Sequence, residues 1–87
     1  MPYTVRFTER AERAFGDLPG PIRERIQTKI DSLTENPRPA GTKRLSGRKS
    51  LYRIRLGDYR VLYRIEDQVL LVLVVEVGHR REVYRRR

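Results

Sequence analysis

The 87-residue sequence has no cysteine and a single histidine. The first absence excludes disulfide scaffolds and thiolate metal sites, and it is compatible with a reducing cytosol. The second excludes a histidine-rich metal site. Met1 to Thr8 is short and lacks the apolar core of a signal peptide. The longest apolar run, Val69 to Val75, is far too short to cross a bilayer as a helix. The phosphate-loop pattern G-x-x-x-x-G-K-[ST] is missing, and there are no internal repeats and no separate linker. The expectation is one soluble, cytoplasmic domain over residues 1–87.

Positive charge is what the chain has in excess. Lys and Arg number 20 against 11 acidic residues, a net charge of +9. Such a balance favours nucleic acid, an anionic membrane surface or an acidic protein partner, and does not choose among them.

The charge is patterned most clearly between Leu51 and Ile65, L-Y-R-I-R-L-G-D-Y-R-V-L-Y-R-I. Tyr52, Ile54 and Leu56 alternate with Arg53 and Arg55. Beyond Gly57-Asp58, Tyr59, Val61, Tyr63 and Ile65 alternate with Arg60, Leu62 and Arg64. Strand side chains point alternately to opposite faces, so this is a hairpin with one apolar and one arginine-rich face. Gly-Asp as a two-residue loop suits a type II′ turn, with glycine supplying the positive φ. That turn pairs Leu56 with Tyr59, Arg55 with Arg60, Ile54 with Val61 and Arg53 with Leu62. Arg53, Arg55 and Arg60 then share one neighbourhood, although like charges directly opposite are unfavourable. Either a polyanion sits there, or the arginines splay apart in solvent.

The rest of the chain supplies a frame. Tyr3 to Phe7 alternates as a first strand, with Tyr3, Val5 and Phe7 inward. Thr8 is a candidate N-cap for a short helix carrying Ala11, Ala14, Phe15 and Leu18 on one face. Pro19-Gly-Pro21 breaks the chain and opens a second helix with Ile22, Ile26, Ile30 and Leu33 on one stripe, which ends near Glu35 before Asn36-Pro37-Arg-Pro39. Its basic outer face reads first as a solvated surface. Pro37 to Ser50 reads as a loop pinned by Leu45, where Lys43, Arg44, Arg48 and Lys49 either follow a phosphate backbone or are merely soluble. Val69 to Val77 is apolar on both parities except at Glu76, which indicates a central strand. The order β-α-α-β-β-β, with a short C-terminal strand, predicts an α+β two-layer sandwich. A helical hairpin packs on one face of a mostly antiparallel sheet, and the other face is left open.

At this point the sequence resembles the RelE/ParE superfamily of type II toxins, and more closely its RelE branch. The most specific segments are Y-R-I-R-L-G-D-Y-R-V-L-Y, Tyr52 to Tyr63, and V-G-H-R-R-E-V-Y, Val77 to Tyr84. The resemblance implies a ribosome-dependent endoribonuclease that cuts mRNA in the A site without a metal or other cofactor. The RNA 2′-OH attacks the adjacent phosphate, giving a cyclic phosphate and a free 5′-OH. It also implies a cognate antitoxin, acidic and with an amphipathic helix, that neutralises the toxin and binds operator DNA with it. The family's site, carried over by position, corresponds to Arg53, Arg55, Arg60, Arg80 and Tyr84. Guanidinium forks suit the charge that builds on phosphate oxygens. Tyr84 would stack on a base or orient the 2′-OH.

Some members of the family carry lysines at the positions of Arg53 and Arg55. Arginine does not give up its proton, so a lysine base has no counterpart here. His79 is the one ordinary acid–base candidate near neutral pH, and its bland alternative is a surface or structural histidine. Tyr84 is the other candidate, if neighbouring cations lower its pKa. An unbroken alternation along the last strand would put Arg80 and Tyr84 on the helix side. The chain must therefore change face for them to join Arg60; Gly78 is the expected place, and an unbroken strand through it would count against the site. The competing function is a ParE-like inhibitor of DNA gyrase without nuclease activity, and a third is an RNA-binding module or decayed toxin.

Overall fold

The computed structural model describes residues 2–45 and 50–79. The elements in chain order are β1 (Thr4–Phe7), α1 (Glu9–Gly16), α2 (Gly20–Ser32), β2 (Lys43–Arg44), β3 (Leu51–Leu56), β4 (Tyr59–Glu66) and β5 (Leu71–His79). The strands form one sheet in the order β1-β5-β4-β3-β2. Only the β1–β5 pair is parallel. This is the expected α+β sandwich.

Local chemistry accounts for the helices. Thr8 Oγ1 accepts from the Ala11 amide at 3.1 Å, and Glu9 and Glu12 lie in the first turn of α1, where the helix dipole favours anions. Proline sits in the first turn of α2, where its missing N–H is not needed. Arg23 Nη1 donates to the carbonyl oxygens of Leu18 at 2.9 Å and Gly16 at 3.3 Å, which ties the two helices together across their link.

Both helices bury their apolar stripes on one face of the sheet. Ala11, Ile26, Ile30 and Leu33 meet Ile54, Val61, Tyr63, Ile65, Val72, Val74 and Val77. Each large side chain buried this way contributes about 1.5–3 kcal/mol. β5 lies between β1 and β4, as its continuous apolar run implies.

The hairpin register is the expected one at every pair, from Leu56–Tyr59 to Arg53–Leu62. Gly57 alone in the turn has a positive φ, +60°, as a type II′ turn requires.

Three expectations change. The loop before the hairpin contributes a two-residue edge strand, Lys43 opposite Arg53 and Arg44 opposite Tyr52. The last strand begins at Leu71 rather than Val69, because Asp67–Val69 forms a 3₁₀ turn and Leu70 takes a left-handed conformation. β5 also runs unbroken through Gly78, which pairs with Arg60. The break in register lies earlier. Tyr63 opposes Val74 while Leu62 opposes Glu76, so Val75 is an extra residue in the ladder. The expected short C-terminal strand lies outside the described residues.

Candidate functional site

Parity and register together lay out the open face of the sheet. One row across it reads Lys43, Arg53, Leu62 and Glu76, and the next reads Arg55, Arg60 and Gly78. Lys43, Arg53, Arg55 and Arg60 are therefore brought together. Arg55 and Lys43 are exposed, Arg53 is half-buried and Arg60 is only 5% exposed. Arg60 Nη1 lies 3.4 Å from the carbonyl oxygens of Gly57 and Tyr59. Its strand partner Gly78 has no side chain to compete for the same space. Beneath the cations Leu51 and Leu62 form a small second core with Leu45 and Val75, so Leu45 does pin its loop, but on this face.

Two expected residues are set apart. Arg44 is paired with Tyr52, whose ring belongs to the helix face, stacked 6.1 Å from that of Tyr63. His79 pairs with Tyr59, and its ring meets the tyrosine edge-on at 5.5 Å. Together with Ala14, Asp17, Leu18, Pro19 and Val77 these two rings line a hollow of about 500 Å³ at the helix link. His79 is thus on the opposite face from the arginines. Arg48, Lys49, Arg80 and Tyr84 lie outside the described residues.

The open face also carries residues that the sequence reading did not include in the site. Arg64 and Arg6 flank Leu73 in one row, both exposed. The parity of the hairpin already contained Arg64. Glu76 stands on this face too, its Oε2 3.7 Å from Arg10 Nη2. The signal for it was plain: it is the one charge in an apolar strand.

A polar cluster at the other end of the sheet holds the loop after α2. Arg38 makes a two-pronged bond to Asp67, 2.8 and 3.3 Å, and its Nε donates to the Tyr52 hydroxyl at 3.2 Å. Tyr3 donates to the same carboxylate at 2.6 Å. The Arg38 guanidinium and then the Tyr3 hydroxyl hold Asp67 below the usual carboxylate range. In return Asp67 raises the pKa of Tyr3 and of Arg38. Tyr63, fully buried, donates to the Pro37 carbonyl at 2.8 Å and lies 3.3 Å from Thr42 Oγ1. Burial pushes its phenol up from the ordinary value. This cluster is scaffold: it positions the loop that delivers Lys43 to the open face.

A two-helix layer over one face of a mixed sheet, with a cationic hairpin on the other, is the architecture of a small toxin of the RelE/ParE superfamily, and the comparisons agree. Residues 5–84 match the family described as ParE toxin of type II toxin-antitoxin system, and the chain belongs to that family. Within it the likeness is to the RelE branch. Toxin RelG of Mycobacterium tuberculosis is 37% identical over 87 residues, covering 99% of this chain and all of the relative. The mRNA interferase toxin RelE of Escherichia coli is 35% identical, covering 97% and 92% of the two chains. A variant of E. coli RelE in the free state superposes with a TM-score of 0.81 at 32% identity, covering 98% of this chain and 93% of that one. The toxin-antitoxin complex RelBE2 of M. tuberculosis gives 0.78 at 35% identity, covering 91% and 99%.

Proposed function

We propose that this toxin is a ribosome-dependent endoribonuclease that cuts mRNA in the A site by attack of the 2′-OH on the adjacent phosphate. The observation that carries the reading is the clustering of Lys43, Arg53, Arg55 and Arg60 at adjacent cross-strand positions on the open face. Like charges so placed repel unless an anion joins them. A phosphate passing through in-line displacement gathers charge on its non-bridging oxygens, and fixed guanidinium groups stabilise that charge. Arg60 holds the scissile phosphate, with Arg53 and Arg55 beside it. Arg80 and Tyr84 complete the site, at the leaving oxygen and on the flanking base. Lys43, Arg48 and Lys49 follow the RNA backbone, while Arg44, on the side of Tyr52, is left out of that path.

The chain's partner is a cognate antitoxin, acidic and helical, through which it reaches operator DNA. Relatives solved as RelBE toxin-antitoxin complexes support this. The test is to incubate the purified toxin with programmed ribosomes and mRNA, transition metals chelated, and to map new 5′ ends. Cuts in the A-site codon that vanish in Arg60→Ala and Tyr84→Phe are expected. No cleavage, with loss of gyrase supercoiling instead, would establish the ParE-like alternative that the family's description keeps open.

A further inference from the structure

The arginine face holds cations to bind a phosphate, but its guanidinium groups cannot accept the proton that the attacking 2′-OH must lose. His79 is on the other face. Among the described residues, two carboxylates share the face with the arginines. Glu66 is exposed at the far end of β4 from Arg60. Glu76 is in the middle. It opposes Leu62 while Gly78 opposes Arg60, so Glu76 is the diagonal neighbour of Arg60, about 7–8 Å away along the sheet.

We infer that Glu76 is the general base of this site, taking the 2′-OH proton; the inference rests on the nuclease reading above. The side chain is 18% exposed and its two oxygens differ. Oε2 faces Arg10 of α1 at 3.7 Å. Oε1 is buried and has no hydrogen-bond partner among the described residues. A buried acceptor without a donor is uncommon and asks for a reason. Here the reason is a donor that arrives with the substrate. The residue is placed by the extra Val75, and such bulges re-aim side chains beside active sites.

The step balances with the groups named. Glu76 Oε1 takes the proton as O2′ bonds to phosphorus. The P–O5′ bond breaks, and O5′ leaves with a proton from solvent. The products are a 2′,3′-cyclic phosphate and a 5′-OH, and Glu76 returns its proton to solvent. Among the described residues the cations around it are Arg10 on α1, Arg6 on β1, Lys43 on β2, Arg53 and Arg55 on β3, and Arg60 and Arg64 on β4. Arginine and lysine side chains have no acceptor to lose on acidification, so loss of a base on the acid limb of the rate profile is assigned to a carboxylate.

The experiment is single-turnover cleavage of A-site mRNA as a function of pH. Glu76→Gln keeps size and polarity but removes the base. Its expected cleavage is at least about 100-fold slower, with KM unchanged and the acid limb gone. Glu76→Asp retains a base with shorter reach and restores part of the rate. Arg10→Gln breaks a long ion pair, 3.7 Å, whose arginine is the exposed partner, and should leave the rate within about threefold, since pairs open to solvent on one side contribute little. Thermal midpoints and antitoxin binding check that each variant folds. Cleavage by Glu76→Gln at the wild-type rate with the acid limb intact overturns the inference alone. So does an Arg10→Gln variant as slow as Glu76→Gln, which would make the pair structural. A wild-type chain that does not cut overturns the nuclease reading and the inference with it.

Discussion

Removing the Tyr63 hydroxyl tests whether the loop carrying Lys43 is held from beneath the sheet. The ring is fully buried, and its hydroxyl donates to the Pro37 carbonyl at 2.8 Å, with Thr42 Oγ1 3.3 Å away. Tyr63→Phe keeps the ring and its stacking on Tyr52. What is lost is one hydrogen bond, and the carbonyl of Pro37, a buried residue, is left short of this donor. The two effects together cost about 2 kcal/mol. For a domain of this size that lowers Tm by about 8–16 °C. Urea denaturation should show a lower midpoint with an unchanged slope, because no extra surface is exposed in either state. The phenol also carries a pH signature. Its pKa is raised in the folded state, so its contribution is fully present below about pH 10 and is lost as pH rises through the folded value. Tyr63→Phe should remove that part of the alkaline decline. A variant within about 0.5 kcal/mol of wild type, where a net hydrogen bond falls at the low end, would refute the reasoning: the hydroxyl would then be hydrated equally well in both states.

Asp67→Asn addresses the opposite end of the pH scale. Arg38 and Tyr3 hold the Asp67 carboxyl below its ordinary value of 3.8, so its stabilisation is present above that pH and is lost as pH falls through the folded value. The variant should be less stable near neutrality and lose less on acidification, and parallel urea midpoints from pH 7 to strong acid would contradict this. Gly57→Ala should cost about 1–2 kcal/mol through the backbone alone, because φ is +60° and a Cβ there meets nothing within 4 Å. Gly57→Asn should recover part of that by thermal melting, and equal losses would show that the turn is not what sets the strain.

The hairpin was legible because two independent rules agreed on it. Alternation assigned the faces, and a two-residue turn with glycine first fixed the register, so Arg53, Arg55 and Arg60 could be grouped from sequence alone. The helices were legible from the spacing of Ile22, Ile26, Ile30 and Leu33 and from the Thr8 cap, although α2 ends at Ser32 rather than near Glu35. β2 was not legible, since two residues carry no periodicity and Lys43–Arg44 exist as a strand only by pairing with β3. Arg38, Asp67 and Tyr3 were not legible as a cluster, because 64 positions separate Tyr3 from Asp67 and only the fold joins them. His79 was considered for the site as the one ordinary acid–base candidate, beside the alternative of a surface or structural histidine, and its pairing with Tyr59 puts it on the other face.

The change of face was foreseen and its location was not, and the physics of Glu76 explains the difference. Continued from the Tyr63–Val74 pair, a regular ladder would set Val61 against Glu76 and Arg60 against Val77. That puts a carboxylate into the core beside Val61 and withdraws Val77 from it. Burying an unpaired charge costs several kcal/mol, and a valine lost from the core about 1.5–3 kcal/mol more. One extra residue at Val75 avoids both, which is why the ladder shifts there and not at Gly78, where no such conflict remains. The same shift sets Gly78 opposite Arg60 and Glu76 on the arginine face. Glu76→Val should therefore weaken the bulge itself. With a valine at that position the regular ladder buries no charge and keeps an apolar residue against Val61, so the two registers draw to within about 1–2 kcal/mol, the remaining difference being one half-buried side chain. Cross-strand proton contacts separate them: residue 76 touches Leu62 in the bulged register and Val61 in the regular one. A single bulged register in the Val variant would mean that something other than the carboxylate sets the shift. For the same reason the charge-neutral test of catalysis belongs to glutamine, which is too polar to enter the core and so leaves the register, and the arginine face, where they are.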